Sequence, residues 1–205
     1  VSGREGIEGV PRLDDLLALG VHPLSIRAWL LSTSYHKPLS ATPDALAMWE
    51  RNRSRIQELA ANLTLAATND AAPGLAAAGE AERLEASLET FLADDLSVYH
   101  FWPALFAFCR YANAALATGS LPPGDAARLL AGLAQADSAL GLLDATRLPA
   151  PRALWPAEAA RLCGERAAAR EARDFARADA LRQAIEALGY RVEDAADGAR
   201  LFPVG

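Results

Sequence analysis

The segment Phe101-Trp102-Pro103-Ala104-Leu105-Phe106-Ala107-Phe108-Cys109-Arg110-Tyr111 carries a single charge, and its apolar residues fall on every side of a helix rather than on one stripe. Such a helix is stable in water only when other elements surround it. A bilayer span takes ~20 apolar residues, so this run is too short to cross one and the rest of the chain must supply the walls. The flanking periodicity does so. Thr42-Pro43-Asp44 offers an N-cap, a first-turn proline and an acid at the positive helix end. Leu46, Trp49, Ile56, Leu59 and Leu63 then share one face of a helix expected to run to about Thr68, with Arg51, Arg53 and Arg55 mostly on the other side. Beyond the breakers of 69–74, a helix over 80–92 presents Leu84, Leu88, Phe91 and Leu92. The apolar helix starts near Val98 with Pro103 in its first turn, and Gly119 and Pro122-Pro123 end it. Asp125 can cap a further helix whose core face is Leu129, Leu130, Leu133, Leu140, Leu142 and Leu143. Two short helices, one around 13–17 and one opened by Pro23, precede these four. Four helices joined by short breaks pack as an antiparallel bundle.

Periodicity stops at 148–156, where Pro149, Pro151 and Pro156 mark a linker. A small module is expected from about Trp155. Asp174 is a plausible N-cap there, and Phe175, Ala178, Leu181, Ile185 and Leu188 form one stripe closed by Gly189. The period then changes from helix to strand: Tyr190-Arg191-Val192-Glu193-Asp194 alternates, Asp197-Gly198 is a turn signal, and Ala199-Arg200-Leu201-Phe202-Pro203 can return as a partner strand. The expected fold class is mainly α, an antiparallel helical bundle followed by a small α+β module of two helices and a β-hairpin.

The chain has 20 Lys and Arg against 26 Asp and Glu, a net charge of −6. Residues 61–154 hold the acidic surplus, with five basic against ten acidic side chains, whereas 155–205 hold eight against nine. No bulk basic field exists to grip nucleic acid, so such contact must use local arginine clusters. Arg166, Arg170, Arg173 and Arg177 recur at helical spacing in the small module, joined by Arg182, Arg191 and Arg200. Their type suits phosphates and base edges, while the interleaved Glu165, Glu171 and Asp179 offer the plainer alternative of an acid-paired surface. Cys109 and Cys163 lie far apart without a zinc-site spacing, so they read as core residues in a reducing, cytoplasmic compartment. No metal site and no cofactor are expected on this chain, and no membrane partner. Asp94 and Asp95 are adjacent and project about 100° apart on a helix, which suits capping or solvation better than paired acid chemistry. His22, His36 and His100 are scattered, so no catalytic triad is expected. Gly3, Gly6 and Gly9 lack the preceding strand and the following Gly-Lys-Ser/Thr of a phosphate loop. The start shows no secretory leader, and a chain opening on Val1 rather than Met reads as a piece of something longer.

Three segments carry a family resemblance. Asp174-Phe175, Ala178-Asp179, Leu181-Arg182, Ile185, Gly189, Glu193-Asp194 and Gly198 resemble, in order and spacing, the C-terminal module of cysteinyl-tRNA synthetases. Gly20, Pro23, Ile26-Arg27, Leu30-Leu31-Ser32, Tyr35 and Pro38-Leu39 resemble that family's stem-contact segment. Leu92-Ala93-Asp94-Asp95-Leu96, followed by Ala104-Leu105, is similar to its DALR-type helical-bundle signature. The resemblance covers essentially the whole chain.

It implies a stem-contact segment over 1–40, a DALR-like bundle over 41–147 and an anticodon-binding module over 155–205. The implied function is that of a tRNA-binding C-terminal portion, its partner tRNA-Cys or a tRNA-like ligand. Adenylation chemistry belongs to a nucleotide-binding domain that precedes this region in the family, so no catalytic residue is expected here. Arg27, Tyr35, His36 and Lys37 correspond to stem contacts. Arg182, Arg191, Glu193, Asp194, Asp197, Arg200 and Phe202 correspond to the anticodon side. Ser2, Gly3 and Arg4 fall on the KMSKS-like loop, with Gly3 replacing the lysine that would balance ATP phosphate charge. His36 stands for the family's arginine, Ser97 and Val98 for its Asn-Thr, and Leu201 where a hairpin tryptophan commonly stacks on a base. Phe202 can replace that stacking only from the opposite strand face. Two rival readings stay open: part of a cysteine ligase paralogue acting on a small amine, and a free-standing helical scaffold that has lost RNA binding.

Overall fold

The structure, a computed structural model, describes residues 12–67, 72–119, 121–195 and 198–204. Ser2, Gly3, Arg4 and Asp197 lie outside the described residues, as do Gly6 and Gly9. Among the described residues, eight α-helices and one hairpin follow in order: α1 (Leu13–Ala18), α2 (Pro23–Leu30), α3 (Pro43–Ala66), α4 (Leu75–Ala93), α5 (Trp102–Ala117), α6 (Pro123–Leu140), α7 (Ala157–Glu171), α8 (Phe175–Ala187), β1 (Tyr190–Ala195) and β2 (Gly198–Pro203). The protein is mainly α, a helical bundle followed by a small α+β module.

Local chemistry sets most boundaries. Thr42 Oγ1 accepts from the Ala45 N–H, Asp174 Oδ1 from the Arg177 N–H, and His22 Nδ1 from the Leu24 N–H, so each caps the helix it precedes. α4 begins at Leu75, earlier than the apolar stripe implied, because Ala76 to Ala78 are strong helix formers and the Gly74 N–H finds an acceptor in Asp125 Oδ1. Asp125 therefore ties α4 to the first turn of α6 instead of capping its own helix, whose N-cap is Pro122. α6 stops at Leu140 because Gly141 turns left-handed (φ 61°), so Leu142 and Leu143 lie beyond the helix although Leu142 stays in the core.

Gly74 meets Asp125, and Ala81 meets Gly132 closely enough that a Cβ on Gly132 would lie 2.9 Å from the Ala81 Cβ. These pairs ascend together, so α4 and α6 run parallel, as alternate helices must when each short connection reverses the chain. Arg128 braces the seam, donating to both Glu85 oxygens at 2.7 and 2.9 Å and holding the Glu85 carboxyl below its usual range. Leu59, Leu63, Leu84, Phe101, Leu105, Phe108, Leu129 and Leu133 fill the core, and Trp49 and Trp102 meet at 4.4 Å. α5 is less enclosed than its composition implied. Trp102, Leu105, Phe108 and Ala112 are buried, but α3 and α4 cover it from one side and Ala107 and Arg110 remain exposed.

A second cluster of Ala159, Leu162, Cys163, Ile185, Val192 and Leu201 joins α7, α8 and one face of the hairpin. Residues 148–156 are not a loose tether, since the Ala150 N–H donates to the Leu201 carbonyl at 2.6 Å and Trp155 Nε1 donates back to the Ala150 carbonyl at 2.9 Å.

Candidate nucleic-acid interface

The antiparallel register pairs Arg191 with Phe202 and Glu193 with Arg200. Directly opposed residues share a sheet face, so Arg191, Glu193, Arg200 and Phe202 stand together on one side of the hairpin. Val192, Leu201 and Asp194 occupy the other, against α7 and α8. Leu201 and Phe202 do point to opposite faces, yet Phe202 is only 6% exposed. The Arg191 guanidinium covers its ring at 5.1 Å, and both residues line a cleft shared with α3. Arg191 and Glu193 stay half-exposed and pair at 3.1 Å. Arg200 reaches from β2 to α3, donating to Glu58 Oε1 at 3.0 Å and to Asn62 Oδ1 at 2.8 Å.

Asp194 is engaged on the opposite face. Arg166 grips it through two parallel hydrogen bonds of 2.7 and 3.0 Å, and Arg170 adds a third contact at 3.1 Å. The hydrogen bonds from Arg166, with the charges of both arginines, hold the Asp194 carboxyl below its usual range. Among the remaining module arginines, Arg161 pairs with Glu158 and Glu165, Arg177 lies 3.8 Å from Glu165, and Arg182 lies loosely between Asp179 and Glu186 at 3.9 and 4.0 Å. Acid pairing thus describes most of this surface, and among the described residues Arg182 is the exposed anticodon candidate least committed to one partner.

The stem-contact candidates form a separate group. Tyr35 and His36 rings meet at 3.9 Å, the Tyr35 hydroxyl donates to Asp95 at 2.9 Å, and His36 Nε2 lies 3.5 Å from Asp95. The hydrogen bond to Asp95 pushes the Tyr35 phenol above its usual range. Asp95 can reach both because it adopts φ 48°, as Leu96 does at φ 53°, in the turn that ends α4. Asp94 acts locally, accepting from Ser97 Oγ at 3.0 Å. Lys37 is exposed beside this group. Arg27 is exposed too, but its Nε donates to the Leu140 carbonyl and so sits at the negative C-terminal end of α6.

The apolar stripe of α3 puts its arginines mostly away from the core, as exposed Arg51 and Arg55 are, but Arg53 departs from that expectation. Arg53 is 4% exposed, with Nε donating to Ser25 Oγ at 2.8 Å and Nη2 to Glu50 at 3.1 Å. It completes the series Leu46, Trp49, Arg53, Ile56, whose three-and-four spacing carries the position into the apolar stripe. That spacing was the available signal. Gln57 was also missed: it donates to the Asp144 carbonyl at 3.1 Å and accepts from the Asp144 N–H at 2.8 Å, pinning the turn that carries Arg147.

No family model matches the chain. Over 191 residues it is 34% identical to a cysteine–tRNA ligase of Solibacter usitatus, covering 92% of this chain and 40% of that protein. A cysteine–tRNA ligase of Opitutus terrae is 35% identical over 192 residues, 93% of this chain and 36% of the relative. One from Exiguobacterium sibiricum is 30% identical over 183 residues, 88% and 38% respectively. The chain is a relative of aminoacyl-tRNA synthetases. Within that class its family relationship is to the cysteine–tRNA ligases, of whose length it spans about two fifths.

Proposed function

We propose that this chain is the tRNA-binding C-terminal portion of a cysteine–tRNA ligase-like cytoplasmic protein and carries no adenylation chemistry itself. Residues 1–40 contact the tRNA stem, 41–147 form the bundle, and 155–205 address unpaired anticodon-loop bases. The observation that carries this reading is the gathering of Arg191, Glu193, Arg200 and Phe202 on one hairpin face, in a chain similar to cysteine–tRNA ligases along at least 88% of its length in each of those three comparisons. Half-exposed Arg182 and Arg191 donate to base edges or phosphates, and Glu193 accepts from base amino groups. Asp194, Arg200 and Phe202 hold the hairpin in shape. Tyr35, His36 and Lys37 present a ring pair and a cation to the stem, and Arg27 fixes that segment on the end of α6.

Retarded migration with total tRNA in native electrophoresis, fading as salt rises, supports this reading. A free-standing scaffold is the second reading, favoured by the internal engagement of Asp194, Arg200 and Phe202 and by the net charge of −6. Unretarded migration at both low and moderate salt decides for it.

A further inference from the structure

Between α3 and the outer face of the hairpin lies a cleft of about 210 Å³, lined by Arg53, Arg147, Arg191 and Arg200 together with the carboxylates of Glu58 and Glu193. Arg53 is the telling residue. It is 96% buried, and its Nη1 is enclosed without a hydrogen-bond partner from the protein. A guanidinium N–H taken out of water and left unpaired costs stability, and Arg53 is one of the side chains that line the cleft. The wall itself carries four guanidinium groups against the two carboxylates of Glu58 and Glu193, with Glu50 behind Arg53 and Asp144 beside Arg147, so arginine predominates on the lining inside an acidic chain. The planar forks of arginine match the oxygens of a tetrahedral oxyanion.

We infer that this cleft binds a phosphate group, held by Arg53, Arg147 and Arg191. Its volume is below the roughly 300–1,000 Å³ of pockets that enclose whole small molecules, so it takes the phosphoryl head alone. A depression of about 500 Å³, sharing Arg147, Arg191 and Glu193, opens beside it and accommodates what the phosphate is attached to. Gln57 sets the position of Arg147 through its two hydrogen bonds to the backbone of Asp144. The phosphate comes either from a small phosphorylated molecule or from an RNA backbone. The site shares residues with the tRNA reading but rests on its own geometry.

The probe is inorganic phosphate, titrated at constant ionic strength into the isotope-labelled full chain and followed by backbone amide NMR. Saturable shifts confined to β1, β2, the middle of α3 and the turn over 144–147 are expected. Arg147→Gln and Arg191→Gln each weaken binding at least fivefold, while Glu193→Gln, which removes a repelling carboxylate, tightens it at least twofold. Arg147 is exposed on a short turn, so its variant remains informative if Arg191→Gln disturbs the hairpin. Linear, scattered shifts, or weakening by Glu193→Gln, overturn the inference. A second arm adds an anticodon stem-loop RNA. Displacement of phosphate by RNA assigns the site to the RNA backbone, and undisturbed phosphate binding in its presence assigns it to a small phosphorylated molecule. If phosphate binds but no RNA does, the site stands and the tRNA reading falls.

Discussion

Two glycine-to-alanine substitutions, chemically identical and both inside helices, should move stability in opposite directions. Gly79 lies in α4, where an added Cβ meets only the far end of the Arg83 side chain at 3.6 Å. Alanine is favoured over glycine in a helix by about 1 kcal/mol, so Gly79→Ala should stabilise by about 0.5–1 kcal/mol. Gly132 lies in α6 where it crosses α4, and its added Cβ would sit 2.9 Å from the Ala81 Cβ and 3.3 Å from the Ala81 Cα. Ala81 is fully buried and has no rotamer with which to yield, so the helices must separate. Overpacking of this kind costs about 1–3 kcal/mol, which exceeds the propensity gain and leaves a net loss of about 1 kcal/mol. Urea unfolding followed by tryptophan fluorescence reports it directly, because Trp29, Trp49 and Trp102 all lie in the bundle core. In a chain of this size 1 kcal/mol corresponds to about 2–4 °C in Tm. Equal stabilisation by the two variants would refute the close α4–α6 crossing.

Asp194→Ala leaves the buried Arg166 without its bidentate partner. Losing one member of a fully buried pair costs about 3–5 kcal/mol. Solvent reaches Asp194, so the expected loss is about 1–2 kcal/mol, read from hydrogen exchange of the β1 and β2 amides. The Asp194 carboxyl is depressed in the folded state, so its contribution is complete above the ordinary Asp range and is lost as pH falls through the lower, folded value. Arg173 adopts φ 59° just past α7, so Arg173→Gly should raise Tm by relieving about 1 kcal/mol of left-handed strain. Burial pushes the Cys109 thiol up to about 12, so at pH 8 alkylation of the folded chain should be much slower than that of the unfolded chain. Alkylation at the rate of the unfolded chain contradicts that burial.

What the sequence revealed was local. Thr42, Asp174, Pro103 and Gly189 act within a few residues of themselves, and each does in the fold what its type and neighbours imply. The alternation after Gly189 likewise put Leu201 and Phe202 on opposite faces. What stayed hidden depends on partners distant along the chain. Asp125 serves Gly74, Asp194 serves Arg166, and Arg200 crosses to Glu58. No periodicity encodes those meetings. Phe202 is buried for the same reason: strand alternation turns it away from its own module, but α3 and Arg191 wait on that side. For the candidate interface, residue types were legible, while their division into exposed contacts and internal struts was not.

Chemical footprinting of tRNA-Cys by this chain probes the central claim most directly. Protection concentrated on the anticodon loop and the adjoining stem, lost from the loop in the Arg182→Gln/Arg191→Gln double variant but kept on the stem, is the predicted result. A cleavage pattern identical with and without saturating protein at low salt contradicts it.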